Sequence, residues 1–159
     1  MGRERAKTAL VTGASSGIGR ELARIHASQG GDLVMVARRE ERLRSLQQEL
    51  TELYGAKVTL AIQDLSVPGA VQQVYQKVSE AGIQVDYLIN NAGFAAHGFF
   101  YEQEPRRVRD LTVVNVVALT ELTRHFLPGM VERGSGRILN MASMAAYPVS
   151  YTHLRAHET

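Results

Sequence analysis

Short apolar runs alternate with amphipathic stretches along most of the chain, which is the pattern of β-strands followed by α-helices. We predict five strands, at residues 7–12, 33–37, 57–62, 85–89 and 137–141. Nearly every position within these runs is apolar, so we expect both faces of each strand to be covered. The alternation therefore predicts an α/β fold, a doubly wound parallel sheet that binds ligands at the carboxyl ends of its strands.

Apolar residues also recur at helical spacing between the predicted strands, and glycines follow these stretches. The three stripes are Ile18, Leu22 and Ile25; Leu43, Leu46, Leu50 and Leu53; and Val71, Val74 and Val78. A fourth, long helix is predicted from Pro105 to about Phe126. Its segment 112–117 is rich in β-branched residues and favours a strand by propensity alone. We predict a buried helix because a helical stripe runs through Val108, Leu111, Asn115, Leu119 and Leu122.

Residues 12–19, Thr-Gly-Ala-Ser-Ser-Gly-Ile-Gly, directly follow the first predicted strand. A strand that runs into a glycine-rich turn and then a helix is typical of dinucleotide binding. We expect Gly13 to permit the tight turn, Gly17 to let a pyrophosphate approach the backbone, and Gly19 to let the helix pack on the sheet. The N–H groups at the helix start would bind the phosphates. Taken alone, the same glycine pattern also fits a loop that binds no ligand.

Charge and composition exclude several other classes of protein. The formal net charge is +2 and most basic residues are dispersed, which argues against a nucleic-acid partner. The chain has no cysteine, and His153 and His157 lack a third ligand, so we predict no metal site. No apolar run is long enough to cross a bilayer, and residues 1–6 lack the apolar core of a signal peptide. We therefore expect no membrane partner and a cytoplasmic location.

Five motifs follow one another along the chain. They are the glycine turn, Asp64-Leu65 after strand three, Asn90-Asn91-Ala92-Gly93 after strand four, Asn115 in the long helix and Ser143 after strand five. Together they resemble the classical short-chain dehydrogenase/reductase family, over residues 6 to about 149. The resemblance implies an incomplete Rossmann-type sheet of about five strands in the order 3-2-1-4-5. It also implies a cofactor site formed by Gly13, Ser15, Ser16, Gly17, Ile18, Gly19, Asp64, Leu65, Asn91, Ala92 and Gly93.

Some of these positions also have purely structural explanations. Asp64 could equally cap the third helix, although Ser66 is better placed for that role. Asn91 and Gly93 could simply form a turn. The presence of the other motifs favours the cofactor site.

The end of strand two bears on the choice between NAD(H) and NADP(H). An NAD site carries a carboxylate there, which accepts a hydrogen bond from the ribose 2′-hydroxyl. This chain has Arg38 and Arg39 instead, and guanidinium groups suit a 2′-phosphate. Two solvated arginines opening a helix are the alternative, but cations there oppose the helix dipole. We therefore predict that Arg38 and Arg39 bind NADP(H), with NAD(H) less favoured.

The same resemblance implies hydride transfer assisted by a Tyr, a Lys four residues later, a Ser and a helical Asn. Ser143 and Asn115 match the last two and are our candidate catalytic residues. A turn at Ser143 and a buried structural amide at Asn115 would also explain them. Tyr151 precedes Arg155 by four residues but falls too early for the family spacing, and Tyr147 has no basic residue four positions on. We predict that the chain lacks the catalytic Tyr and Lys.

The last residues of the chain differ from the rest. Residues 150–159 lose apolar periodicity and family character, so we predict an NADP-binding Rossmann domain at 1–149 followed by a non-family tail. The tail resembles read-through or vector-derived sequence, and a family member would continue for roughly a hundred residues. We therefore expect a C-terminally truncated member. Because the long helix usually builds a dimer interface in the family, we expect its full-length parent to be a homo-oligomer.

From the motifs and the family resemblance we predict an NADP(H)-dependent oxidoreductase that interconverts a secondary alcohol and a ketone by hydride transfer. Its substrate would be a small-molecule carbonyl or alcohol. Phe94, Phe99 and Phe100 suggest an apolar wall for acyl, steroid or aromatic ketones, although packing also explains them. The alternatives are a non-catalytic dinucleotide-binding module, an epimerase or dehydratase on the same fold, and an inactive truncated fragment. We expect this chain to bind cofactor weakly and not to turn over.

Overall fold

A computed structural model of the protein describes residues 6–96 and 98–143, and they form a parallel five-stranded sheet. The strands lie in the order β3-β2-β1-β4-β5, which confirms the predicted doubly wound topology. The strands are β1 (Thr8–Thr12), β2 (Asp32–Ala37), β3 (Val58–Ile62), β4 (Tyr87–Asn90) and β5 (Arg137–Asn140). The helices are α1 (Gly17–Ser28), α2 (Glu40–Tyr54), α3 (Ala70–Glu80), α4 (Pro105–Thr112) and α5 (Leu119–Glu132), with a π-helical segment at Val113–Ala118 and a 3-10 turn at Phe100–Glu102.

Two hydrophobic cores cover the two faces of the sheet. Alternate residues of a strand point to opposite faces, so Leu10 belongs to the core beneath α3 and α5, whereas Ala9 and Val11 belong to the core beneath α1 and α2. Every residue of β1 is buried, because this strand pairs with β2 on one side and β4 on the other. β1 is therefore the centre of the described sheet, and its carboxyl end lies between those of β2 and β4.

The face that α1 buries differs from the predicted stripe. Ile18 and Ile25 are 59% and 54% exposed, and the buried residues of the helix are Gly19, Ala23 and Ala27. Small side chains let the helix axis approach the sheet closely, and larger apolar residues at its flanks then remain in solvent. The predicted stripe was therefore wrong for α1.

The other two predicted stripes agree better with the structure. Val71, Val74 and Val78 are all buried in α3, as predicted. In α2 the first three leucines of the stripe are buried, but Leu53, in the last turn before Gly55, is 65% exposed. The prediction was wrong for that leucine, because the buried face of α2 ends at Leu50.

The long helix is confirmed, but its central segment is not α-helical. The β-branched run adopts π-helical geometry at Val113–Ala118, and α5 continues to Glu132, beyond the predicted end. The wider π turn shifts the buried face, so Val114, Ala118, Leu122, Phe126 and Met130 are buried. Of the predicted stripe, Leu122 belongs to this face, and the other members are half-buried beside it.

An ion-pair network joins α1 to α2. The guanidinium of Arg24 donates two hydrogen bonds to Glu49, with Nε–Oε1 and Nη2–Oε2 distances of 2.6 and 2.9 Å. Arg20 adds a third, from Nη2 to Oε2 at 3.1 Å. The hydrogen bond from Arg24 holds the pKa of Glu49 below its usual value, although desolvation acts in the opposite direction. The network fixes the first turns of α1 against α2.

None of the helices in residues 6–96 and 98–143 combines the length and the apolar character that a membrane span requires. The same part of the chain contains no cluster of three or more His, Asp or Glu side chains arranged to hold a metal ion.

The buried face of α1 can be tested by a pair of substitutions. We expect Ala23→Leu to lower the free energy of unfolding by about 1–3 kcal/mol, because a larger side chain cannot fit between helix and sheet. Ile25→Ala should change it by less than about 1 kcal/mol, because Ile25 is largely exposed. Urea denaturation measures both. A larger loss for Ile25→Ala than for Ala23→Leu would contradict the observed helix face.

The Glu49 network predicts a pH-dependent stability difference. Because the pKa of Glu49 is lowered on folding, its carboxylate stabilises the fold above the unfolded-state pKa of about 4.3. This contribution is lost as the pH falls through the folded-state pKa. We expect Glu49→Gln to cost about 1 kcal/mol at neutral pH and progressively less as the pH falls through the folded-state pKa, measured by urea denaturation.

Glu52→Gln is the matched control on the same helix, because Glu52 is exposed and its hydrogen-bond partner Gln48 is neutral. It should change stability little at either pH. A cost of Glu49→Gln that persisted undiminished at acid pH would contradict the role of the charged pair.

Candidate cofactor site

The glycine turn lies directly against the loop that follows β4. Gly13 has a φ of 68°, in the left-handed region, and its N–H donates to the Val36 carbonyl at 2.8 Å. A Cβ at Gly13 would lie 3.0 Å from the Cα of Ala92, and one at Gly19 would lie 2.7 Å from the carbonyl oxygen of Gly13. The amide group of Asn91 also lies within contact of both positions. Close packing therefore requires glycine at both places.

Thr12 joins the carboxyl ends of β1 and β4. Its Oγ1 accepts hydrogen bonds from the N–H groups of Asn91 and Ala92, each at 2.9 Å, and donates to the Ile89 carbonyl at 3.3 Å. The Asn91 side-chain amide donates to the Thr12 carbonyl at 2.9 Å. Thr12 was not identified as a site residue from the sequence. Its position, as a polar residue at the end of an apolar strand, could have indicated this role.

The two arginines after β2 have different partners. Arg39 Nη2 donates to the hydroxyls of Ser16 and Ser15, at 2.7 and 3.1 Å. Arg38 Nη1 lies 3.4 Å from Asp64 Oδ2, and its side chain is 67% exposed. Arg39 therefore reaches across to the glycine turn, whereas Arg38 faces the loop after β3.

Asp64 forms a local turn rather than a helix cap. Its Oδ1 accepts hydrogen bonds from the backbone N–H and the hydroxyl of Ser66, at 3.0 and 2.7 Å. Desolvation alone would raise the pKa of Asp64, but these hydrogen bonds and the charge of Arg38 outweigh it, and the pKa is lowered. Gly69 occupies the N-cap position of α3, so the alternative in which Asp64 or Ser66 caps this helix was wrong.

These groups surround an open cleft of about 310 Å³ at the carboxyl ends of β1, β2 and β4. Among the predicted cofactor-site residues, the cleft is lined by Gly13, Ser15, Ser16, Ile18, Arg38, Arg39, Asp64, Leu65, Asn91, Ala92 and Gly93. Gly17 and Gly19 are not part of the lining; Gly17 opens α1 and Gly19 packs beneath Asn91. Phe94, which we considered only for an apolar wall at the substrate, also lines the cleft, together with four residues that we did not predict, Val36, Ala37, Gln63 and Val114.

Asn115 holds the loop after β4 from the side of the π-helical segment. Its Oδ1 accepts a hydrogen bond from the Phe94 N–H at 3.2 Å, and its Nδ2 donates to the Phe94 carbonyl at 2.9 Å. A Cβ at Gly93 would lie 3.1 Å from this Oδ1. Asn115 does not line the cleft itself. The contacts support a structural role, and the catalytic role of Asn115 stays a prediction.

Ser143 is exposed and lies three residues beyond the last residue of β5. β5 pairs with β4 in the register Asn90↔Asn140, and the two amides are hydrogen-bonded at 2.9 Å. Ser143 is therefore on the same sheet edge as the cleft but outside its lining. Tyr147, Tyr151 and the predicted tail lie outside the described residues, as do Arg155, His153 and His157.

The arrangement fits an elongated ligand with chemically different ends. Arginines and Asp64 lie on the β2 and β3 side, the glycine turn lies at the centre over β1, and neutral backbone and amide groups lie on the β4 side. A dinucleotide has this form, because its pyrophosphate joins two nucleosides and suits the start of α1.

A sequence profile described as short chain dehydrogenase matches residues 7–155. The chain belongs to the short-chain dehydrogenase family. A short chain dehydrogenase of Pseudocercospora fijiensis is 39% identical over 152 residues, which cover 92% of this chain and 48% of the relative. A very-long-chain 3-oxoacyl-CoA reductase of Pyrenophora tritici-repentis is 37% identical, over 87% of this chain and 42% of the relative. The chain thus spans about half the length of these curated relatives.

Solved structures of the family match the described fold. L-sorbose reductase from Gluconobacter frateurii, complexed with NADPH and L-sorbose, has a TM-score of 0.84 and 34% identity over 89% of this chain and 54% of its own. A short-chain dehydrogenase from Sphingobium yanoikuyae in complex with NADPH has a TM-score of 0.85 and 36% identity over 91% of this chain and 56% of its own. The predicted family and Rossmann-type fold are confirmed.

The role of Thr12 can be tested with two conservative substitutions. Thr12→Val keeps the shape of the side chain but leaves two N–H groups without their acceptor, so we expect a loss of about 2 kcal/mol in the free energy of unfolding. Thr12→Ser keeps the hydroxyl and should lose about 1 kcal/mol or less. Urea denaturation measures both variants, and equal stability of the two would contradict the hydrogen-bonding role.

Proposed function

We propose that this chain is the cofactor-binding part of an NADP(H)-dependent oxidoreductase that interconverts a secondary alcohol and a ketone by hydride transfer. The observation that carries the proposal is the cleft, where Arg39 is hydrogen-bonded to the serines of the glycine turn. A 2′-phosphate, unlike a 2′-hydroxyl, needs positive charge at this place. The substrate of the whole protein would be a small-molecule carbonyl or alcohol.

The partners of the two arginines support NADP(H) over NAD(H). Arg39 contacts two neutral hydroxyls, so its charge is available to a phosphate. Arg38 is paired with the Asp64 carboxylate, which offsets part of its charge. We infer that Arg39 supplies the larger share of the attraction for a 2′-phosphate. The NADPH bound to the two solved relatives is consistent with this choice.

The cofactor, when bound, supplies or accepts the hydride, and the protein residues orient it. The backbone of the glycine turn and the start of α1 would bind the pyrophosphate, with Gly17 open to the approach of the ligand. Asp64 and Leu65 would face the adenine. In the whole protein Ser143 would orient the substrate oxygen, and Asn115 would fix the loop on which the nicotinamide half rests.

A second candidate function is dinucleotide binding without turnover. The resemblance implies a Tyr and a Lys four residues later as the acid/base group, and we predict that this chain lacks that pair. A phenol needs a nearby cation to act as a base at neutral pH. Binding of NADPH with no reduction of carbonyl compounds would favour this candidate. The cytoplasmic location and a homo-oligomeric whole protein remain proposals.

Isothermal titration with NADPH and NADH tests the cofactor proposal. We expect the unsubstituted 159-residue chain, called the parent chain from here on, to prefer NADPH. Arg39→Met should weaken NADPH binding about tenfold or more, because a charge-assisted contact to the phosphate is lost. NADH binding should change less than about twofold. Arg44→Met is the matched control, because Arg44 is exposed on α2 and paired with Glu40. Equal affinity of the parent for NADH and NADPH would overturn the NADP(H) assignment.

A further inference from the structure

The loop after β4, residues 91–96, is held at successive points along its backbone. Thr12 accepts from the N–H groups at its start, and the amide of Asn115 binds both backbone groups of Phe94. The next carbonyl, that of Ala95, accepts a hydrogen bond from Arg107 Nη2 at 3.2 Å. The third of these contacts comes from the first turn of α4.

Arg107 makes two contacts with this loop. Besides its hydrogen bond to Ala95, its guanidinium lies 5.7 Å from the centroid of the Phe94 ring, within the range of a cation–π interaction. Phe94 itself lines the cleft and packs on the core beneath α3 and α5. Arg107 therefore contacts a residue that also lines the cofactor cleft.

Helix stability does not explain a cation at this position. Arg107 lies in the first turn of α4, which begins at Pro105, and a positive charge there opposes the helix dipole. The contacts with the loop offset that cost. The adjacent Arg106 has no such contact: its side chain is 82% exposed, and it pairs with Asp110 of its own helix at 3.8 Å.

The sheet order shows which part of a dinucleotide this loop would meet. β4 lies on the side of β1 opposite to β2 and β3, whose ends carry Arg38, Arg39 and Asp64. With the 2′-phosphate and adenine on the β2 side and the pyrophosphate over β1, the nicotinamide half extends towards β4. This step rests on the proposed function.

We propose that Arg107 is a positioning residue that holds the β4-side wall of the cleft, through Phe94 and Ala95, in the place required by the nicotinamide half of the cofactor. Loss of its side chain leaves the core contacts of Phe94 and the anchors at Thr12 and Asn115 in place. The fold and the adenosine half of the site therefore stay intact, and the contribution of the nicotinamide half to binding falls.

The test compares two ligands that share the adenosine end. NADPH contains the nicotinamide half, and adenosine 2′,5′-bisphosphate lacks it. Isothermal titration is carried out on the parent chain, on Arg107→Met and on Arg106→Met. The two variants make the same change in charge at neighbouring positions, so the second controls for general electrostatic effects.

We expect Arg107→Met to weaken NADPH binding about threefold to tenfold and to leave binding of the bisphosphate unchanged. Arg106→Met should change neither affinity. Arg107→Lys keeps a cation and a donor, and should recover part of the NADPH affinity.

Unchanged NADPH affinity of Arg107→Met would overturn the proposal, and so would an equal loss for both ligands, which indicates a general structural defect. A parent chain that binds the bisphosphate and NADPH with equal affinity would overturn it as well, because the nicotinamide half would then contribute nothing. Failure of the parent to bind either compound would instead overturn the proposed function, and this inference with it.

Discussion

The close contact between the glycine turn and the loop after β4 is the constraint on which the candidate site depends. Gly13 and Gly19 leave room for Asn91, and Thr12 binds the backbone of that loop through its hydroxyl. This contact sets the distance between the start of α1 and the end of β4. The cleft therefore has a fixed centre before any ligand is present, and less conformational entropy is lost on binding.

The two sides of the cleft are lined by different chemical groups, and different helices hold them in place. On the β2 side, Arg39 is oriented by the serines of the turn, and α1 is fixed to α2 by the pair of Arg24 and Glu49. On the β4 side, the amide of Asn115 and the guanidinium of Arg107 hold a loop that places no carboxylate in the cleft lining. This asymmetry would orient a dinucleotide with its charged end towards β2.

The strand pattern predicted a doubly wound parallel sheet with its site at the carboxyl ends of the strands, and the family resemblance implied the strand order and most of the cleft lining. Periodicity failed for α1, since it identifies large apolar residues and cannot show that Ala23 and Ala27 must face the sheet. The partners of Arg39 and Arg107 depend on long side chains that cross between elements distant in sequence. Such contacts have no local pattern, so they could not be predicted. The catalytic role of Ser143 stays a prediction.

The central claim is that a nicotinamide dinucleotide lies across the carboxyl edge of the sheet, centred on the glycine turn. Titration of the ¹⁵N-labelled chain with NADPH, followed by amide chemical shifts, tests this most directly. We predict that the amides of Gly13, Arg39 and Ala92 shift together and saturably. Those of Gly30 and Gly134, which follow helices at the opposite edge, should stay unchanged. Shifts confined to the opposite edge, or a glycine turn that does not respond at saturating NADPH, would contradict the account.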